Sequence, residues 1–443
     1  MKALENTNLR IDDLSSESYK DYCFSDISIN YTWSFSDKTI KDTSYITHGY
    51  YTYPAKFIPQ LATRLIIENS IEGDIVVDPF MGSGTTIVES IINKRVGIGI
   101  DINEIAFLIS KVKTTPLDGI ALNQSFFRLF ENLSKYQSDH MITEVETIIP
   151  INNKIDYWFL PEEKLKLAII LNEIRKIEDS NLQDFYLVAF SQILKSCSIW
   201  MQKSIKPTRD LKKNITNPID LFISQSKKMI NKHLEFNKIL NPLIKQNIDL
   251  FRKVQCSDSR NIPCEDEKAS LIVTSPPYVT SYEYADLHQL PSVWLGYMSE
   301  LGDFRKKFIG SAYKDRSSSN LKSDLANETI SKLKNKKNDE VNTYFLDMLE
   351  SFIEMKRILK KGGRVCIVIG NTEFKGVKIL NAEIFKEQLE NIGFKTHDII
   401  KREIPSKMLP STRDNITGRF VSSKNSNIKL AYPTEYILIM EKL

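Results

Sequence analysis

Two short stretches combine residue types that can do chemistry together. In the first, LIVTSPPYV (271–279), an apolar run ends on Ser275, Pro276, Pro277 and Tyr278. Neither proline has an N–H, so this loop offers carbonyls and a hydroxyl without competing backbone donors. A ligand group with two donors and no acceptor suits that surface, and an aromatic amine is such a group. Ser275 Oγ and a main-chain carbonyl, that of Pro276, can take one N–H each, while Tyr278 stacks on the ring that carries the amine. The competing reading is a rigid turn with no ligand.

The second stretch is VVDPFMGSGTT (76–86), with Gly82 and Gly84 at a turn from a strand into a helix. Glycines there let the backbone approach a ligand, and the helix start offers free N–H groups. A triphosphate loop needs Gly-Lys-Ser/Thr, but Thr85 and Thr86 follow Gly84. A dinucleotide fingerprint wants a third glycine where Ile87 stands. A nucleoside cofactor without phosphates remains, its ribose diol accepted by Asp101 at the end of the next apolar run. The alternative is again a tight turn with no ligand.

The elements around these loops predict an α/β protein with a doubly wound, mainly parallel sheet. GDIVVDPF, TTIVESIINK and RVGIGID read as strand, helix and strand. The alternation resumes with KASLIVTSPPY (268–278) and continues through helix 344–360, strand 363–371, helix 382–393, strand 394–404 and strand 435–442. The section between is different. Helix 161–178 starts on Pro161, Glu162 and Glu163 and has Leu167, Ile170, Leu171, Ile174 and Ile177 on one face. Helix 217–240 aligns Ile223, Ile230 and Leu234. The resulting organisation is an extension (1–44), a first catalytic part (45–115), a mostly helical insertion (116–250) and a second catalytic part (251–443) with a basic loop at 296–340. YTWSFSD (31–37) reads as an edge strand, and Trp158 and Trp200 as core of the insertion.

The chain of 443 residues has a net charge of only +4, but its basic residues cluster at 203–213, 304–316, 331–338 and 356–364. Such clusters suit a polyanion footprint, or equally solvated helix faces. Five cysteines form no CxxC pair, and the five histidines have no metal spacing, so reduced thiols and no metal are expected. The start of the chain is polar and unlike a signal peptide. No apolar run reaches the ~18 residues of a membrane span, and a cytoplasmic location is expected.

Together, DPFMGSGTT and TSPPY resemble the cofactor and catalytic motifs of the DNA amino-methyltransferases, and the Ser-Pro-Pro-Tyr form is similar to the N4-cytosine type. The resemblance implies a Rossmann-like methyltransferase fold and S-adenosylmethionine as methyl donor. It places cofactor contacts at Asp78, Pro79, Phe80, Gly82, Ser83, Gly84, Thr85, Thr86, Asp101 and Ile102. HGYYTYPAKFIPQLATRLI (48–66) is similar to the segment over the methionine end of the cofactor, which implies contacts from Tyr53, Pro54, Lys56 and Phe57. CSDSRN (256–261) looks like the element whose acid, Asp258, sits near the adenine. Ser275, Pro276, Pro277 and Tyr278 become the catalytic loop, acting on a base flipped from double-stranded DNA. A companion restriction endonuclease is compatible with such an enzyme. The long insertion precedes CSDSRN here, so both 116–250 and 296–340 are candidates for reading sequence.

Alternatives within reach of the same loops are an N6-adenine enzyme, an RNA amino-methyltransferase and a non-catalytic nucleic-acid binder. A carbon-5 cytosine enzyme needs a cysteine nucleophile after the catalytic strand, whereas Cys264 precedes it. His288 reads as a helix-surface residue that competes with a role lining the pocket, and Asp286 is equally open.

Overall fold

The computed structural model describes residues 24–54, 56–136, 149–204, 206–279, 284–310, 320–333, 337–374, 376–404, 412–414, 428–430 and 433–443. The sheet is built outward from β1 (Ile75–Asp78), a short apolar strand. β1 pairs in parallel with β2 (Val96–Asp101), and β2 with β3 (Arg252–Cys256). On its other side β1 pairs in parallel with β4 (Ala269–Thr274), and β4 with β5 (Leu359–Ile369). All six residues of β4 are buried, as expected of a strand covered on both faces, which needs no polar alternation. β6 (Phe394–Glu403) and β7 (Thr434–Lys442) complete the order β3-β2-β1-β4-β5-β7-β6, with β7 antiparallel to both of its neighbours. This is the doubly wound, mainly parallel sheet that the alternation of strands and helices predicts.

The strand order runs downward to β1 and upward from β4, so the switch point lies between these two strands. A ligand crevice opens at the carboxyl ends there, because the flanking connections leave toward opposite faces. The alternation of side chains along each strand supplies both faces with apolar groups. Val76, Leu271, Val273 and Cys366 pack against Leu61, Leu65 and Ile66 of α1 (Pro59–Asn69). Val77, Ile272 and Ile367 pack toward the phenylalanines of the opposite helical layer. α2 (Thr85–Ile92) and α3 (Glu104–Thr114) follow β1 and β2.

Between β2 and β3 lie α4 (Gly119–Ser134), α5 (Asn153–Trp158), α6 (Pro161–Arg175), α7 (Ser180–Ile193) and α8 (Pro218–Ile239). They share one apolar core with α3 and with α9 (Gln289–Trp294), which follows the Ser-Pro-Pro-Tyr loop. In α6 the expected face Leu167, Ile170, Leu171 and Ile174 is buried, and so are Ala168 and Ile169. Ile177 lies past the helix end and is partly buried. Trp158 and Trp200 are core, as expected, and stack with centroids 5.1 Å apart.

Two expectations are corrected. Residues 31–37 do not form an edge strand: Tyr31–Trp33 is one 3-10 turn. The Asn30 side chain accepts the Thr32 N–H, and Arg64 lies 3.7 Å over the buried Trp33 ring. A local cap and burial of one large aromatic outweigh the weak alternation. The 296–340 stretch is not a plain polar loop. Its described parts include α10 (Leu301–Lys307) and α11 (Asp324–Lys332), and α12 (Lys337–Ile358) begins within it. Phe304, Leu321, Leu325 and Ala326 are buried. Ser323 caps α11 while its hydroxyl donates to Glu387 of α13 (Asn381–Asn391), so a few spaced apolar residues and one cap hold a charged sequence in place. Among the described residues, no helix is long and apolar enough to cross a membrane, and no cluster of candidate metal ligands occurs.

Candidate active site

Asp78 ends β1 and Thr274 ends β4, and the two are bonded: Thr274 Oγ1 donates to Asp78 Oδ1 at 2.6 Å. The same oxygen accepts the Phe80 N–H at 3.1 Å, which starts the glycine turn. Gly82 and Gly84 have φ of +48° and +72°, a region that disfavours any side chain with a Cβ. A Cβ on Gly82 would stand 3.0 Å from the Tyr53 ring, and one on Gly84 2.7 Å from Ser110 Oγ. From behind, Ser110 Oγ donates to the Gly82 carbonyl at 2.9 Å and the buried Lys113 Nζ to that of Ser83 at 2.5 Å.

Asp101 closes the loop from β2. Its Oδ2 accepts the Gly82 N–H at 2.9 Å and its Oδ1 the Asn103 N–H at 3.0 Å. Burial pushes Asp78 and Asp101 each up to about 6. The segment before α1 is fixed by His48, whose Nε2 is 2.6 Å from Glu89 of α2. Glu89 also accepts the hydroxyls of Tyr45 and Thr63. Lys56 donates to the His48 carbonyl at 3.0 Å, and burial, with Lys228 nearby, pushes it down to about 8.

These elements enclose a cleft of about 850 Å³, counted to its open mouth. Tyr53, Pro54, Lys56, Phe57, Asp78, Pro79, Phe80, Gly82, Ser83, Thr85, Asp101, Ile102 and Asp258 line it, together with Ser275 and Pro277 of the second loop. Four residues singled out by sequence sit one layer back. Gly84 makes the close approach to Ser110 described above, and Thr86 Oγ1 donates to the Val273 carbonyl at 3.1 Å. Pro276 is buried, and Tyr278 is half-buried with its edge against Gly370 and its hydroxyl 3.3 Å from Glu435 Oε2. The Pro277 carbonyl accepts the Tyr344 hydroxyl at 2.7 Å. Asp258 is held by Arg260, which Asp347 holds in turn.

The residues present fit a nucleoside cofactor with a polar tail. At the glycine edge of the cleft, Ser83 Oγ and Thr85 Oγ1 are buried without a hydrogen-bond partner among the described residues. Buried hydroxyls of this kind ordinarily have partners, and a polar ligand lying on the start of α2 would supply them.

His288 is not on a helix surface. It falls at the junction of the single turn Tyr284–Leu287 and α9, is 1% exposed, and packs its ring 4.8 Å from that of Tyr53. Neither ring nitrogen has a partner among the described residues, and burial pushes it down to about 4. Helical spacing alone does not reveal that two short helices meet at this residue and turn it inward. Asp286 forms an ion pair with Arg305 at 2.6 Å.

Sequence reasoning missed Met81, Ser259, Tyr284, Lys307, Phe308 and Ile309, which also line the cleft. The last three lie inside the basic cluster 304–316, where the apolar Phe308 and Ile309 were the signal. Lys307 pairs with Glu104 at 3.0 Å, tying α10 to the start of α3. Cys264 does not line the cleft, so the carbon-5 mechanism finds no nucleophile in it.

A doubly wound sheet with a glycine turn into α2 and an acid at the end of β2 defines a nucleoside-binding α/β protein. The model of a family described as DNA methylase, covering N6 and N4 methyltransferases, matches residues 3–112 and 269–443, and the chain belongs to that family. The helical section lies outside the match. The chain is 26% identical over 428 residues to the Type II methyltransferase M.MvaI of Kocuria varians, covering 90% of this chain and 92% of that one. It is 22% identical over 467 residues to the Type II methyltransferase M.MjaII of Methanocaldococcus jannaschii, with 84% and 78% covered. Among solved structures, an S-adenosylmethionine-dependent methyltransferase from Methanosarcina mazei is 9% identical, with 85% of this chain and 96% of that chain covered and a TM-score of 0.29. That score is low, and the fold stands on the strand order above.

Proposed function

We propose that this DNA methylase transfers a methyl group from S-adenosylmethionine to the exocyclic N4 of a cytosine flipped out of double-stranded DNA. One observation carries the reading: Ser275 and Pro277 form the wall of the same cleft that Gly82 and Asp101 frame. The donor-free loop and the nucleoside site therefore face one space.

S-adenosylmethionine, when bound, supplies an electrophilic methyl group. Asp101 accepts ribose hydroxyls, and the hydroxyls of Ser83 and Thr85 meet the polar tail. Ser275 Oγ and the Pro276 carbonyl accept the two amine hydrogens, since Tyr344 already engages the Pro277 carbonyl. Two acceptors on the amine draw its nitrogen toward sp³ and free its lone pair for direct attack. Holding reactants in line accounts for ~7–11 kcal/mol of barrier reduction, so no covalent intermediate is required. Flipping costs a few kcal/mol; Tyr278, one layer behind the cleft, returns about 1–3 kcal/mol by stacking once its ring turns toward the base. Ser275 is too weak a base to hold the released proton, which passes to solvent after transfer.

Serine rather than an acid or amide before Pro-Pro-Tyr supports cytosine over adenine. A companion restriction endonuclease accords with the Type II names of the relatives. The test is to incubate unmodified DNA with the protein and labelled S-adenosylmethionine and identify the product nucleoside by mass spectrometry. N4-methylcytosine is expected. N6-methyladenine overturns the base assignment, and label confined to RNA overturns the substrate.

A further inference from the structure

Outside the cleft, the most built basic feature is the hairpin of residues 199–204 and 206–210, between α7 and α8. Met201 N–H donates to the Thr208 carbonyl at 2.8 Å and Asp210 N–H to that of Ile199 at 2.7 Å. Its base is pinned by Lys213, whose ammonium donates to the carbonyls of Lys195, Ser198 and Trp200 at 2.7, 2.8 and 2.8 Å. Its turn is fixed by Lys195 Nζ and Trp200 Nε1, which both donate to the Ser204 carbonyl, at 2.9 and 3.2 Å. A segment with this many internal ties presents its outer side chains in defined positions.

Those side chains are Gln202, Lys203, Lys206, Thr208 and Arg209, all exposed. Lys203, Lys206 and Arg209 make no ion pair among the described residues. Arg209 instead lies 4.5 Å over the ring of the half-exposed Tyr157. A stacked guanidinium keeps its hydrogen-bonding edge available. Fixed positive charge without an acidic partner is the complement of a polyanion and repels itself otherwise.

The hairpin is also linked to the cleft by two routes. Seven residues before it, Gln192 of α7 exchanges two hydrogen bonds with Thr52, at 2.9 and 3.2 Å, and Thr52 adjoins the cleft residue Tyr53. That spacing keeps Ile199 within about 25 Å of Gln192. On the other side Trp200 stacks on Trp158, whose Nε1 donates to Gln289 of α9 at 3.2 Å, just downstream of the catalytic loop.

The geometry points to this hairpin as the element that grips the DNA duplex flanking the flipped base, an inference that rests on the function proposed above. Lys203 and Lys206 bind phosphates, Arg209 and Gln202 carry the groups able to read guanine or adenine edges, and a two-stranded ribbon fits the ~12 Å major groove.

The test compares wild type with the triple variant Lys203→Ala, Lys206→Ala, Arg209→Gln. Affinity for a duplex carrying the target site is measured by anisotropy from 50 to 300 mM salt, cofactor affinity by calorimetry, and methyl transfer by label. The expected result is a duplex Kd raised at least tenfold and a slope of log affinity against log salt shallower by about 2, from ~0.9 for each of the two lost phosphate contacts. Cofactor Kd stays within twofold, which also reports folding; should the triple variant not fold, Lys206→Ala alone is expected to flatten the slope by about 1. Unchanged duplex affinity and salt slope with an active wild type overturn the hairpin assignment alone. Loss of affinity for structured RNA but not for duplex DNA also overturns it. A wild type that methylates no DNA overturns the function on which it rests.

Discussion

Thr274 donates its hydroxyl to Asp78 at 2.6 Å, so the last residue of β4, which leads into the Ser-Pro-Pro-Tyr loop, is bonded to the last residue of the strand that feeds the glycine turn. Both groups are buried, and each loop's position is thereby set by the other. Thr274→Val keeps the shape and removes the donor. The expected outcome is a loss of about 1–3 kcal/mol of stability from the carboxylate left short of a partner, with methyl transfer down at least tenfold. Thr274→Ser retains most of both. Denaturant titration and a label-transfer assay check this.

Gly82 is required twice over, by its φ of +48° and by the 3.0 Å approach of Tyr53 to any added Cβ. Gly82→Ala is expected to weaken cofactor binding about tenfold, in line with the ~1–2 kcal/mol a side chain loses in the left-handed region. Tyr53 also lines the cleft, so Tyr53→Leu alone sets the baseline, and calorimetry on the double variant against that baseline separates steric from backbone strain. Full recovery would show that the backbone conformation does not matter.

Asp101, pushed up to about 6 by burial, accepts freely at both oxygens only when ionised, since protonation turns one of them into an O–H donor. Cofactor affinity should be flat above pH 7 and fall below pH 6, by up to tenfold per unit. The fold responds in the opposite sense. A raised carboxyl pKa stabilises the native state below the ordinary range near 4, and that contribution is lost as pH rises through 6. Asp101→Asn should bind weakly at every pH and lose the acid limb, which calorimetry between pH 5 and 8 resolves.

His288 is pushed down to about 4 and sits neutral against Tyr53. A lowered histidine pKa stabilises the fold above the ordinary value of 6.5, and that stability is lost as pH falls toward 4. His288→Phe fills the same space and cannot be protonated. Between pH 7.5 and 4.5, wild type should lose about 2 kcal/mol more than the variant. Equal losses in paired denaturation series would place His288 in contact with water.

The amino-acid sequence by itself determined most strands of the sheet, though not β3, and the two loops, because these are local. Apolar runs as short as IVVD and ASLIVT, rich in β-branched residues and bounded by turn residues, fit the middle of a sheet, and glycines or prolines at fixed offsets constrain the backbone wherever they stand. It also supplied most of the cleft residues, since the motif residues 78–85 and 53–57 are contiguous and enter one turn or one segment. What the tertiary structure decided depends on distant pairs. That Ser275 shares a wall with Asp101 follows from strand order, which no window of residues records. That Phe308, Ile309 and Lys307 join the cleft follows from α10 docking on α3 through Glu104. His288 turned inward because two short helices meet there, and residues 31–33 left the strand pattern because Trp33 found Arg64. Burial energy at such places belongs to the partner as much as to the residue, and the partner is chosen by the fold.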